Sequence, residues 1–295
     1  MTIETRNFGS GVTSSDGDIA LASVIKEIVY QKADEMMAFK NAIPMKGTPG
    51  LDYKFVIPES WYIEAEEISE GSRADIKNMP VFEISGSLKK YQIPVFINDE
   101  VKAREIANAQ MMISLDAAAQ GLAWKKDTEI STALSAGAYS GNDVAATANW
   151  DAAGADPATD IANAIGKILN NTTISDSEIN NINLFYPAML FGHTSKPLQI
   201  GDVQESLRSW VRKEFSIGLY PTRQLTTTAL AIVNTPRMGV HFTHDGSAIP
   251  GAEEYREAGV GNGYIVTSYF KTVLMPYADG QTTSKYISKI TGVDT

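Results

Sequence analysis

The stretch AREIANAQMMISLDAAAQGLAWKKDTEI, residues 103–130, limits what this chain can fold into more than any other. It is rich in Ala and Met and reads as an almost unbroken helix, opened by Asn98 or Asp99 as a cap and continuing to the glycines at 137 and 141. At 1.5 Å per residue such a rod is on the order of 55 Å long, well beyond the usual three or four turns. Gly121 is the weak point inside it. Met112, Leu115, Ala119 and Leu122 make one apolar stripe and Ile113, Ala117 and Trp124 a second, so the rod should be covered on more than one side. The stripes do not hold a 3.5-residue period, which argues against a heptad coiled coil.

What flanks the rod is of two kinds. Residues 1–17 are polar, rich in Gly, Ser and Thr, and read as an arm that another surface must order. From Asp18, taken as a cap, Ile19, Val24, Ile25, Ile28, Val29, Ala33 and Met36 recur at helical spacing and predict a helix of roughly five turns. Residues 52–97 alternate β-branched and aromatic residues with polar ones on both sides of a polar tip near Glu70 to Asp75, the pattern of a long two-stranded hairpin. Glu64, Glu66, Glu67 and Glu70 on one arm face Lys77, Lys89 and Lys90 on the other. An isolated hairpin is marginal in water, so this ribbon, like the arm, should find its footing on sister molecules.

After the rod a new unit starts. In NWDAAGADPATDI, Asp156 and Pro157 take the cap and first-turn positions of a helix along Ile161, Ala164, Ile165 and Ile168. INLFYP (182–187) reads as a buried strand, AMLFGHTSK as a short helix, and DVQESLRSWVRKEF (202–215) as an amphipathic helix with Val203, Leu207, Trp210 and Val211 inward. Strands then dominate: LTTTALAIVN, MGVHFTH, GYIVTSYFKTVLMP and KYISKITGV, the last two expected to return to the first unit's sheet.

Composition closes off several chemistries. The chain has 295 residues, enough for one large or two modest domains, and 43% are hydrophobic, enough for a core. With 25 basic and 35 acidic side chains the net charge is −10, which opposes free association with nucleic acid. There is no Cys, which excludes disulfides, thiolate nucleophiles and zinc–cysteine sites. The start lacks a basic segment followed by an apolar run, and nowhere do about 18 apolar residues run together, so we expect a soluble, unexported protein without a membrane partner. His241 and His244 in H-F-T-H point to opposite faces of a predicted strand, so a shared metal would need a turn there, and they read as structural. Gly259, Gly261 and Gly263 precede a strand where a dinucleotide site needs a helix, so they read as a tight turn. Paired acids such as Glu66 and Glu67, or Glu253 and Glu254, lack a positioned partner and read as solubility and interface charge. Trp61, Trp124, Trp150 and Trp210 read as packing residues. No catalytic residue, cofactor or metal site is expected.

This order of parts resembles the major capsid proteins of tailed bacterial and archaeal viruses, the Hong Kong 97 (HK97) type. The resemblance is carried by the strand-to-rod transition YQIPVFINDEVKARE, the NWDAAGADPATDI entry, INLFYPAMLFGHTSKPLQ and the late strand YIVTSYFKTVLMPYADG. It implies an α+β capsid fold: an N-arm over 1–17, a helix and linker over 18–50, an E-loop hairpin and following strand over 51–97, a peripheral domain with its spine helix over 98–146, an axial α/β domain over 147–263, and returning peripheral strands over 264–295. It implies self-assembly into hexamers and pentamers of an icosahedral virion shell around double-stranded DNA, assembled in the host cytoplasm, with scaffolding, portal and decoration proteins as further partners. Glu64, Glu66, Glu67, Glu70, Arg73 and Lys77 are the expected contacts between copies. Some relatives begin with a long helical scaffolding segment; here about 17 residues precede the first helix, so scaffolding is separate, absent or already removed. No motif ties Lys77 to an Asn with a nearby acid, and no covalent crosslink is expected. Two rivals stand beside this reading: an encapsulin-like compartment of the same fold that encloses cargo enzymes, and, from another class, a soluble α/β hydrolase using the acidic pairs.

Overall fold

The computed structural model describes residues 14–58, 81–98, 107–172, 176–200, 203–244, 252–257, 261–276 and 281–294. In chain order its elements are α1 (Ser14–Met36), β1 (Met45–Thr48), β2 (Asp52–Pro58), β3 (Val81–Ser87), β4 (Lys89–Asn98), α2 (Ala107–Ala136), β5 (Val144–Ala145), α3 (Pro157–Asn171), α4 (Asp176–Ile179), β6 (Ile182–Pro187), α5 (Phe191–Ser195), β7 (Pro197–Ile200), β8 (Val203–Ser206), α6 (Leu207–Phe215), β9 (Gly218–Thr222), β10 (Thr228–Val233), β11 (Gly239–His244), β12 (Ala252–Glu257), β13 (Gly261–Leu274) and β14 (Ile287–Thr291).

Two five-stranded sheets organise the α+β fold. In the first, β13 is the central member: β4 pairs antiparallel along Gly261–Phe270, while β12 and β11 pair antiparallel with successive stretches of β13, and β1 adds to β11 in parallel. The second has the order β5-β14-β10-β6-β9. The rod α2 spans 30 residues, about 45 Å, and packs with α1 against β4 and β13. Its expected beginning, 99–106, lies outside the described residues. It ends at Ala136, and Gly137 follows, as the spacing predicts.

Of the two stripes expected on α2, only one is covered. Leu115, Ala119 and Leu122 are fully buried and Met112 packs against them, whereas Ile113 is 68% and Trp124 53% exposed. On α1 the buried residues are Ile25, Val29 and Ala33, while Val24 and Met36 face outward. The helix also begins at Ser14, ahead of the expected Asp18 cap; serines can open a helix as readily as aspartate. The two helices are joined by two ion pairs, Lys32 with Asp116 and buried Lys126 with Asp34 at 2.7 Å, and α1 is tied to β13 by the Tyr30 hydroxyl donating to the Thr267 carbonyl at 2.7 Å. Asp127 accepts the backbone N–H groups of Ala38 and Phe39 at 2.9 and 3.0 Å, so the turn leaving α1 is pinned to the rod.

One continuous core runs from these helices into the second sheet. Phe39 stacks on Phe185 with centroids 4.6 Å apart, and Phe185 on Tyr220 at 5.1 Å. The Asn183 and Asn234 side chains both donate to the Asn41 carbonyl. α3 follows the predicted rules: Asp156 accepts from the Thr159 N–H at 3.1 Å, Pro157 occupies the first turn, and Ile161, Ala164, Ile165 and Ile168 are buried.

Three expectations are corrected. The helix expected over 202–215 starts only at Leu207: Val203–Ser206 pairs with β7, and Ser206 caps α6 by accepting from the Ser209 N–H. β11, expected in the second unit, joins β13 in the first sheet, and β14, expected in the first sheet, lies between β5 and β10 in the second. There Ile287 and Ile290 are fully buried, and the buried Asn142 side chain donates to the carbonyls of Lys285 and Ile287, which fixes the strand in that sheet. The third concerns the hairpin. β2 and β3 do pair, from Asp52↔Ser87 to Pro58↔Val81, but their inner face rests on the chain's own first sheet. Ile57 is fully buried there, Tyr53 stacks on Phe242 at 5.2 Å, and Phe55, Phe82 and Ile84 pack against the same cluster with Val240, Val273 and Met275. The base of the ribbon thus has its own footing, because its alternating aromatics meet an apolar sheet face.

Candidate assembly surfaces

The residues expected to make contacts between copies, Glu64, Glu66, Glu67, Glu70, Arg73 and Lys77, lie in 59–80, outside the described residues, and Trp61 lies there too. Lys89, expected opposite those acids, instead reaches back to the rod: Glu129 holds Lys271 at 2.9 Å and Lys89 at 3.7 Å. The return arm divides at buried Leu88, whose N–H donates to the Leu51 carbonyl at 2.7 Å; before it the chain pairs with β2, and after it with β13. The outer face of the hairpin base remains open, with Val56 and Val81 both more than half exposed beside the Lys54–Glu83 ion pair at 2.7 Å.

A second open surface lies beside the uncovered stripe of the rod. Met36 at the end of α1, Trp124 on α2, Phe191 at the start of α5 and Pro221 on β9 line a cleft of about 750 Å³, with Gln120 and Arg223 also among its walls. Arg208 lies over the Phe191 ring at 4.9 Å, and Met189 next to it is 69% exposed. Sequence reasoning missed this cleft. Met36 and Trp124 belonged to helical apolar patterns, Phe191 to a short helix, and Pro221 to a stretch that carries no pattern; only the fold brings the four together.

The buried polar groups serve packing. His241 is fully buried; its Nδ1 lies 2.9 Å from Thr272 Oγ1, its Nε2 has no partner among the described residues, and burial, with the positive charge of Lys126, lowers its pKa to about 3. His244 Nδ1 lies 3.1 Å from the Thr48 carbonyl, so both histidines are tied to backbone or hydroxyl partners in the sheet. Burial raises the pKa of Asp127 despite its two backbone N–H partners. It raises that of Asp160 as well, although Asp160 accepts from Trp150 Nε1 at 3.0 Å and from the Thr147 N–H at 3.1 Å. Trp150 is thereby a buried tether between 147–150 and α3. Trp210 is partly buried and meets Phe215 edge-on at 5.4 Å, whereas Trp124 faces the cleft. Gly261 and Gly263, read as part of a tight turn, are instead the first residues of β13 and pair with β12 and β4; Gly259 is outside the described residues. Among the described residues no three His, Asp or Glu side chains gather where a metal ion could be held. No helix among them is long and apolar enough to cross a membrane.

Neither a protein-family model nor a curated protein matches the sequence. Solved structures do match the fold along nearly its whole length. A virus-like particle from Pyrococcus furiosus superposes with a TM-score of 0.61 at 12% identity, covering 91% of this chain and 98% of that one. The capsid of an empty GTA particle gives 0.60 at 8% identity, covering 87% and 90%. The holo-SrpI encapsulin complex from Synechococcus elongatus PCC 7942 gives 0.51 at 10% identity, covering 85% of each chain. The two sheets, the rod lying across the first of them and the hairpin rooted beside it are therefore the Hong Kong 97-type capsid fold.

Proposed function

We propose that this chain is a structural major capsid protein, whose copies close as hexamers and pentamers into an icosahedral virion shell around double-stranded DNA in the host cytoplasm. The observation that carries the reading is the extent of the match: 91% of this chain and 98% of the virus-like particle subunit share one fold. On this reading the first sheet with α1, α2 and the hairpin is the peripheral domain, and the second sheet with α3 and α6 is the axial domain. The charge of −10 supports a wall that leaves packed DNA free to slide. The acids and bases of the hairpin, Glu64, Glu66, Glu67, Glu70, Arg73 and Lys77, contact neighbouring copies, and scaffolding, portal and decoration proteins are the further partners.

Electron microscopy and light scattering of the purified protein test this directly. Capsomers or closed shells are expected, and a protein that stays monomeric under every assembly condition refutes the proposal. The likeness to an encapsulin complex keeps one alternative in view, a compartment around cargo enzymes. Particles purified from their native source separate the two: nuclease-protected double-stranded DNA supports the virion, and a co-purifying enzyme without DNA supports the compartment.

A further inference from the structure

We propose that the cleft between α1, α2 and α5 receives one unpaired nucleotide of a single-stranded nucleic acid, its base against Trp124 and its phosphate at Arg223. In the shell reading duplex DNA is enclosed without being gripped; a cleft for an unpaired strand goes beyond it.

The walls supply the three kinds of contact that a nucleotide uses. The first is a flat apolar platform: Trp124 is 53% and Phe191 46% exposed, and both line the cleft. Aromatic rings left in solvent at a concavity offer stacking surface to any base, whatever its sequence. The second is positive charge in a chain whose net charge is −10. Arg223 is an exposed wall residue, and Arg208 holds its guanidinium 4.9 Å from the centre of the Phe191 ring; neither has a carboxylate partner among the described residues. A guanidinium fork matches a phosphate with two parallel hydrogen bonds. The third is an amide at the edge of the platform. Gln120 lies one turn before Trp124 on α2 and is exposed, so a donor and an acceptor stand beside the indole.

The site is also held in place. Gln224, next to Arg223, accepts from the Thr128 hydroxyl of the rod at 3.1 Å, which fixes the arginine's segment to the helix that carries Trp124. The carboxylate in the wall, Asp127, is 6% exposed and already accepts the N–H groups of Ala38 and Phe39. It therefore offers little repulsion to an incoming phosphate.

Size separates a single strand from a duplex. The cleft holds about 750 Å³, within the range of about 300–1,000 Å³ typical of small-ligand sites. In a duplex each base is covered by its neighbours and must leave the stack before a side chain can lie against its face. The negative surface beyond the two guanidiniums repels the remaining phosphates.

Fluorescence anisotropy tests this with the full-length protein, titrated into a labelled oligothymidylate and into a duplex of the same length at low salt. The single strand should bind at least about tenfold more tightly. Trp124→Ala should weaken that binding about tenfold and Trp124→Phe should restore most of it, as expected for loss and return of one stacked base. Arg223→Gln should weaken it too, and should lower the slope of log affinity against log salt by about 0.7, the share of one phosphate contact on a single strand. Both side chains are exposed, so unchanged urea midpoints identify the variants as folded. No binding, equal binding of strand and duplex, or binding indifferent to Trp124→Ala overturns the proposal. So does a Trp124→Ala protein whose oligomeric state changes in sedimentation while strand binding does not, because the cleft then belongs to a second copy. Shells that assemble normally from a protein that binds no single strand overturn the nucleotide site and leave the shell reading standing.

Discussion

His241 gives the fold an acid-sensitive point whose size can be worked out. The ring is fully buried beneath the rod on β11, with Thr272 Oγ1 at 2.9 Å from Nδ1, Phe270 at 5.6 Å and the Lys126 ammonium as the nearest cause of charge repulsion. In the unfolded chain the imidazole titrates at 6.5; in the folded chain burial, reinforced by Lys126, holds it at about 3. Above about pH 6.5 both states are neutral there, and the group contributes nothing to pH dependence. As pH falls below that, the unfolded chain takes up a proton that the folded chain refuses, and stability drops by about 1.4 kcal/mol per pH unit. The loss reaches about 2 kcal/mol at pH 5 and levels off at about 5 kcal/mol below pH 3. Urea unfolding of the monomeric subunit from pH 7.5 to 4.5 measures it against His241→Gln, which keeps a carboxamide near Thr272 and cannot titrate. Asp127 and Asp160, whose pKa values are raised, titrate in both proteins and cancel in the difference. The wild-type curve should fall more steeply by the stated amount. Parallel curves would show that the ring is protonated or solvated in the folded state and would refute the argument.

The other predictions test separate joints of the fold. Gly121→Ala should stabilise the subunit by about 1 kcal/mol, seen as a higher urea midpoint, because a Cβ there meets nothing within 4 Å and alanine is the better helix former. Gly239→Ala should destabilise it by about 1–3 kcal/mol, since a Cβ would come within 2.6 Å of the Val273 carbonyl and 3.0 Å of Leu274 Cα, both backbone; an unchanged thermal melt would mean that the start of β11 yields freely. Reversing Glu64, Glu66 and Glu67 together should impair assembly in light scattering while the subunit's own unfolding stays the same. Exposed pairs are worth about 0.2–1 kcal/mol each, so the effect arises from repetition around the shell. Equal assembly by the reversed protein would remove these acids from the interface.

What was legible in the sequence was legible because it is local. Asp156, Pro157 and the Ile161–Ile168 spacing specify α3 within a dozen residues, whereas the two stripes of the rod left open that Leu115, Ala119 and Leu122 are buried while Ile113 and Trp124 are not. The element pattern sufficed for the fold class, the rod and the paired strands β2 and β3. What was not legible depends on partners far along the chain. KYISKITGV alternates well enough for either sheet, and its place beside β10 is decided by Asn142 and by registry with Thr228–Ile232. Val203 suits a helix face as well as a strand; pairing with β7 and the Ser206 cap settle the matter. The cleft gave no sequence signal, because its apolar walls come from four segments far apart in the chain.

The hairpin base is ordered by the subunit's own fold. Charge along 52–97 suggested a ribbon wholly dependent on neighbours, yet Tyr53, Phe55, Ile57, Phe82 and Ile84 lie on Val240, Phe242 and Val273 of the same chain. A stacked aromatic pair such as Tyr53 and Phe242 adds about 0.5–1.5 kcal/mol beyond the area it buries, and full burial of Ile57 adds about 1.5–3 kcal/mol. Those contacts exist before any neighbour arrives. The ordering entropy of the ribbon's base is therefore met during folding of the single chain.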